Sequence, residues 1–149
     1  YNSSAYDRVA TLRLLEGVVD IYMPDYKFSD AAVAEAACNA PDYPSVAEKA
    51  IAEMHRQVGD LVIDKDGLAR SGLLVRHLVL PDDLAGTRDV MRFLRQSISD
   101  GTYVNIMAQY RPCGHAQQVP GLERPITRAE FQAALQAARE EGITRIDGT

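Results

Sequence analysis

Positive charge is scarce in this chain: 16 Lys and Arg face 21 Asp and Glu, a net −5. That balance argues against a surface built to grip a phosphate backbone, so nucleic acid is not an expected partner. Cysteine is scarcer still. Cys38 and Cys113 stand far apart and form no C-x-x-C pair, which favours reduced thiols over a disulfide framework and predicts a cytoplasmic setting. No apolar run approaches the ~20 residues a bilayer-spanning helix needs, and no membrane partner is expected. No charged-then-apolar stretch of the secretory kind opens the sequence. Gly-rich phosphate loops, a Ser-His-Asp constellation and an H-E-x-x-H motif are also missing. Internal repeats, low-complexity tracts and a domain-separating linker are absent as well.

What is present suits one soluble domain with a real core: 149 residues, 46% hydrophobic and 25% charged, near the usual globular values. Tyr6, Val9, Leu12 and Leu15 recur at helical spacing and Gly17 follows as a stop. Residues 18–24 read as an apolar strand. Ser29 and Asp30 can cap a short Ala-rich helix that ends near Cys38 and Asn39. Beyond Pro41 and Pro44, Ser45-Val46-Ala47-Glu48 fits a capping box. The helix it opens has Val46, Ala50, Ile51, Met54 and Val58 on one face and Glu48, Lys49, Glu53, Arg56 and Gln57 on the other.

Two apolar runs around Asp64-Lys65-Asp66-Gly67 predict a hairpin over 61–75. The second run continues to Pro81, broken only by Arg76 and His77, and reads as a parallel strand covered on both faces. Thr87 can cap a helix that turns Val90, Phe93, Leu94 and Ile98 inward. A strand over Tyr103–Tyr110 and an irregular stretch over 111–125 follow. Thr127-Arg128-Ala129-Glu130 is a second capping box, and its helix places Phe131, Leu135 and Ala138 on one face. The alternation of helix and strand is the rhythm of βα units with parallel strands. Strands are too few for a closed eight-stranded barrel of ~250 residues. The predicted fold class is therefore α/β, a partial (β/α) barrel with a β-hairpin insertion, and the predicted organisation is an incomplete barrel over 1–149.

In parallel α/β folds, ligands sit at the C-terminal ends of the strands. The polar residues collected there are Asn2 and Ser4, Asp25 and Lys27, Arg76, then Gln109, Tyr110 and Arg111. Within 18–28 the two-residue period sets Ile21, Met23, Asp25 and Lys27 on one side. Asp25-x-Lys27 reads either as a local ion pair or as two charges delivered to a ligand. A guanidinium inside an apolar strand needs an anionic partner; for Arg76, beside Leu78 and Leu80, that is a ligand or Asp25. His77, on the opposite face, reads as a hydrogen-bonded packing residue, and His55 as a surface one. Cys113-Gly114-His115 offers two metal ligands without a partner pair, a weak pattern. Asp82 and Asp83 read as solvated turn residues.

At these strand exits the chain resembles the C-terminal half of a radical S-adenosylmethionine (SAM) enzyme, of the group of pyruvate formate-lyase-activating-enzyme-like iron–sulfur proteins. The resemblance is carried by Tyr-Asn-Ser-Ser-Ala-Tyr (1–6), Leu-Leu-Glu-Gly-Val-Val-Asp-Ile-Tyr-Met-Pro-Asp-Tyr-Lys (14–27) and Glu-Met-His-Arg-Gln-Val-Gly (53–59). Gly-Leu-Leu-Val-Arg-His-Leu-Val-Leu-Pro (72–81) and Asn-Ile-Met-Ala-Gln-Tyr-Arg-Pro (105–112) continue it in order along nearly the whole chain.

The resemblance implies a partial (β/α) barrel whose chemistry starts at a 4Fe–4S cluster held by a C-x-x-x-C-x-x-C loop. SAM on that cluster is cleaved reductively to a 5′-deoxyadenosyl radical, which abstracts a hydrogen atom. By the same resemblance, Asp25 and Lys27 match an Asp-x-Lys pair at the SAM and substrate end. Asn2 and Ser4 belong to the small polar turn near SAM, with Ala5 where the activases usually carry Gly, and Arg76 and Leu78 would flank the nucleoside. Gln109 and Tyr110 would face substrate, with Tyr110 where the activases carry a His. The cluster loop and the Gly-Gly-Glu-type strand have no counterpart here, and Cys38 and Cys113 cannot replace a cysteine triad.

The expectation is thus a C-terminal barrel portion that contributes SAM and substrate contacts and is inactive without its cluster-binding half. The implied partners are that half and, as a candidate, a protein substrate. The alternative is a non-catalytic half-barrel that pairs with itself or a partner, because an open half-barrel exposes strand edges and apolar faces.

Overall fold

The computed structural model describes residues 1–147. In chain order it runs β1 (Asn2–Ser3), α1 (Val9–Arg13), β2 (Ile21–Pro24), α2 (Ala31–Cys38), α3 (Tyr43–Val58), β3 (Val62–Ile63) and β4 (Ala69–Leu78). Then come α4 (Thr87–Phe93), β5 (Tyr103–Met107), α5 (Arg128–Glu140) and β6 (Arg145–Asp147).

The sheet order is β1-β2-β4-β5-β6, all parallel, with β3 added antiparallel to the start of β4. Strands therefore succeed one another in space as they do in sequence. With right-handed crossovers, such an order carries every connecting helix to the same side of the sheet, whereas a doubly wound sheet needs a reversal of order. The result is an arc of β/α units that does not close.

Burial follows that geometry with a period of two. Tyr22, Tyr26, Leu73, Val75, His77, Val104 and Ile106 are buried under the helices. Their neighbours Ile21, Met23, Asp25, Lys27, Leu74, Arg76, Leu78, Tyr103, Asn105 and Met107 are all half-buried on the other face. This corrects the expectation that the 72–81 strand is covered on both faces. Its apolar continuity comes from lining an open concave face, not from a second helical layer.

Local chemistry explains the element ends. Asp30 accepts from the Ala32 and Val33 amides and starts α2, and Asn39 ends it in the left-handed conformation. The capping box at Thr127 and Glu130 forms as expected. Two strands are shorter than expected, β2 starting at Ile21 and β5 ending at Met107, and three helix ends differ. The first helix is confined to 9–13, because Leu14 to Gly17 continue as turns and Gly17 takes φ +77°. α3 begins at Tyr43, ahead of the expected box, because Pro44 is tolerated in a first turn and the Ser45 hydroxyl bonds back to the Asp42 carbonyl. Thr87 is not the cap of α4 but its first residue, and it is buried.

Glu53, expected on the outer face of α3, is buried and paired with Arg56 and Gln57. Hydrogen bonds from these side chains, those of Arg56 foremost, hold its carboxyl down at about 2. His55 is half-buried against Asp60 at 3.0 Å, not a free surface residue. At the foot of the sheet Gly72 has φ +109°, and a Cβ there would stand 2.3 Å from the Asp60 carbonyl oxygen. Only glycine lets β4 pass beneath the chain leaving α3.

Candidate functional site

Four residues from three stretches, Asn2, Asp25 with Lys27, and Arg76, meet at the C-terminal rim of the open face. The parallel register sets Asp25 beside Arg76 and Arg76 beside Asn105. Arg76 Nε donates to Asp25 Oδ1 at 2.7 Å, its Nη2 lies 2.6 Å from the same oxygen as an ion-pair contact, and Nη2 donates to Asn2 Oδ1 at 2.8 Å. Lys27 Nζ donates to the other carboxylate oxygen, Oδ2, at 2.8 Å. One carboxylate is thus shared by two cations, and the cluster carries one positive charge in excess. The side chains are 17% (Asp25), 25% (Arg76) and 34% (Lys27) exposed, so each keeps access to a ligand.

The backbone under this rim is braced from the helical side. The Tyr43 hydroxyl lies 2.8 Å from the Asp25 carbonyl and 2.9 Å from the Ser4 carbonyl, and it accepts from the Lys27 amide at 2.9 Å. Its single proton serves one carbonyl at a time. Burial pushes the Tyr43 phenol well above its ordinary value of 10, which keeps it a neutral hydroxyl. Ala5, fully buried, holds φ +60° with its amide on Ser3 Oγ. A non-glycine residue in that conformation is strained, and the strain sits in the turn next to the rim.

Above the rim, residues 111–125 fold back over the strand ends, with a 3₁₀ turn at Gly114–Gln118 and Leu122 buried. They close one side of a cleft of about 360 Å³ that also takes in Lys27, Phe28, Leu78 and Tyr110. A smaller cleft of about 190 Å³ adjoins it and includes Ser4, Tyr6 and Tyr43. Asn2, Asp25, Lys27 and Arg76 form the cluster, Leu78 lines the larger cleft, and Ser4 lines the smaller one. Tyr110 lines the larger cleft, but its hydroxyl donates to the Leu122 carbonyl at 2.7 Å. Gln109 is exposed and outside both linings, its amide on the Met107 sulfur at 3.3 Å.

His77 is fully buried, with Nδ1 2.8 Å from the Tyr26 carbonyl and Nε2 3.0 Å from Thr87 Oγ1. A carbonyl only accepts, so Nδ1 carries the proton and Nε2 accepts from the threonine hydroxyl. Its role is packing, as expected. Asp82 and Asp83 are more than solvated turn residues: Asp82 accepts from Arg124 at 2.7 Å and Asp83 from the Thr87 amide at 3.0 Å.

Sequence reading missed the rim's continuation, where Asn105 Nδ2 donates to Asp147 Oδ2 at 3.1 Å. Asn105 alternates with buried Val104 and Ile106, a signal that could have placed it on the ligand face. Cys38, Cys113 and His115 also line the larger cleft. Among the described residues no group of three His, Cys, Asp or Glu can hold a metal ion. The residues here therefore do not fit an iron–sulfur cluster, whereas the cationic rim does fit the carboxylate or hydroxyls of a ligand such as SAM.

Fold and rim together define an open, singly wound β/α arc with a partly exposed ion cluster at its strand ends. The chain is 30% identical over 147 residues to a Methanocaldococcus jannaschii protein described as uncharacterized protein MJ0674, a match covering 98% of this chain. It spans only 39% of that relative's length. No family model and no solved structure matches the chain. No helix among the described residues is long and apolar enough to cross a membrane.

Proposed function

We propose that the chain is the C-terminal part of a radical SAM enzyme resembling pyruvate formate-lyase activating enzyme, contributing the SAM and substrate rim while a 4Fe–4S cluster is held by residues outside it. The observation that carries the reading is the Asp25–Arg76–Lys27–Asn2 cluster at the strand ends of an open β/α arc. Lys27 and Arg76 would give charge-assisted hydrogen bonds to a carboxylate or to ribose oxygens. Asp25 would fix both cations and accept from a hydroxyl or ammonium. The half-buried concave face asks to be covered, which suits a chain whose barrel is completed by further sequence. The missing half-barrel is then the first partner, and a protein substrate is a second.

The test is SAM binding by the complete protein. Calorimetric titration is expected to show binding that falls by about tenfold or more, a loss of ~1.4 kcal/mol, in Lys27→Ala and in Asp25→Ala. Unchanged affinity in both variants would sink the assignment.

A non-catalytic second reading is favoured by the same open face, where Met23, Leu74, Leu78, Tyr103 and Met107 are only half-buried. In that case the arc pairs with a second copy or another protein. Sedimentation that finds a monomer, together with SAM binding, would rule this reading out.

A further inference from the structure

We infer that the larger cleft above the rim is a site for a small organic monocarboxylate with an apolar body, its carboxylate on Lys27 Nζ. This deepens the reading above by naming a substrate class, and it rests on that reading only for the ligand's role as reactant. The cleft, about 360 Å³, lies within the range of roughly 300–1,000 Å³ typical of small-molecule sites.

Its walls dictate the ligand's body. Phe28, Leu78, Leu80, Val119 and Leu122 offer no hydrogen-bonding side chain. The Tyr110 hydroxyl, which could have supplied one, is committed to the Leu122 carbonyl. Of the other lining side chains only His115, beside the weakly bonding thiols of Cys38 and Cys113, could pair with a hydroxyl, so a sugar or other polyhydroxyl body would leave most of its groups unpaired, at a cost of about 1–3 kcal/mol for each. An aromatic or branched aliphatic body loses nothing and gains the transfer of its surface from water.

The charge at the mouth dictates the ligand's head. Lys27 is the one formal charge that lines the cleft, and no Asp or Glu lines it. Arg76 approaches Asp25 with two of its nitrogens, so Lys27 is not needed to neutralise that carboxylate. Among the described residues Lys27 Nζ bonds only to Asp25 Oδ2, leaving two of its three N–H groups to donate. A carboxylate can take both, whereas a ligand ammonium would meet Lys27 with like charge and no carboxylate in the cleft lining. One surplus positive charge suits a monoanion better than a phosphate dianion.

The test compares 4-phenylbutyrate with its amine counterpart, 4-phenylbutan-1-amine, by NMR titration of the complete protein. The carboxylate is expected to bind about tenfold or more tightly than the amine, with shifts at Phe28, Leu78 and Leu122. In Lys27→Met that preference should fall to within about threefold, while the apolar contacts still shift. Ala116→Trp, which fills the cleft, should abolish binding of both compounds with the folded spectrum otherwise retained.

Equal binding of the two compounds, an unchanged preference in Lys27→Met, or no binding at all would overturn the inference. SAM binding is read separately, in the complete protein. Its failure with phenylbutyrate preference intact overturns the proposed function alone; SAM binding with no such preference overturns the cleft's assignment alone.

Discussion

Asp25 is the shared acceptor of the rim, and removing it should cost more than removing either cation. In the folded protein its carboxylate accepts from Arg76 Nε at 2.7 Å and from Lys27 Nζ at 2.8 Å, with Arg76 Nη2 in ion-pair contact at 2.6 Å. Breaking a fully buried pair costs about 3–5 kcal/mol, whereas an exposed pair contributes about 0–1 kcal/mol. Side chains 17% to 34% exposed lie between those limits, so Asp25→Ala should destabilise by about 2 kcal/mol. The variant leaves two cations facing each other, each still partly hydrated.

Arg76→Met is milder. Lys27 stays on Asp25, and the methionine covers the apolar surface that the arginine stem covered, so about 1 kcal/mol is expected. The double variant should then fall short of the sum by about 1 kcal/mol, the coupling of the pair. Urea unfolding followed by circular dichroism measures all three. Thermal midpoints should track them at about 2–4 °C per kcal/mol for a chain of this length. An Asp25→Ala cost below about 0.5 kcal/mol, or strict additivity in the double variant, would refute a coupled rim.

Two further outcomes test the scaffold. His77 is neutral in the fold because burial holds its pKa below the ordinary 6.5, while the unfolded chain gains that proton as pH falls through 6.5. The unfolded state then binds more protons, so stability should decline from pH 7 toward about pH 5. His77→Leu should remove that share of the decline in denaturant titrations, and should cost about 2 kcal/mol at pH 7 because Thr87 Oγ1 and the Tyr26 carbonyl lose their partner. A slope identical in both proteins would contradict the buried neutral imidazole. At Gly72, an alanine would collide with the Asp60 carbonyl and force φ +109° on a residue with a Cβ, so Gly72→Ala should lose about 3 kcal/mol or more in the same assay, and a neutral substitution would contradict the close passage.

The sequence alone determined the parts governed by local chemistry. The Thr127–Glu130 box, the Asp30 cap and the Asp64–Gly67 hairpin are short-range hydrogen-bonding patterns, and each formed where it was read. The two-residue period from Ile21 to Lys27 likewise fixed which side chains share a face, because a strand's pleat allows no other arrangement. Asp25, Lys27 and Arg76 were legible as charges on apolar strands.

Tertiary structure decided what those faces meet. No local pattern distinguishes a strand covered twice from one that lines an open concavity, since both are apolar; only the sequential order of parallel strands, with helices on one side, leaves the second face bare. Nor does any pattern join Asn2 to Arg76 across 74 positions, or fold 111–125 over the strand ends to make the cleft. At Asp25 and Lys27 the three-dimensional structure shows the ion pair, with both side chains still partly exposed. The pair forms, Arg76 completes it, and the register of β2 against β4 leaves Lys27 with a charge to spare at the mouth of an apolar cleft.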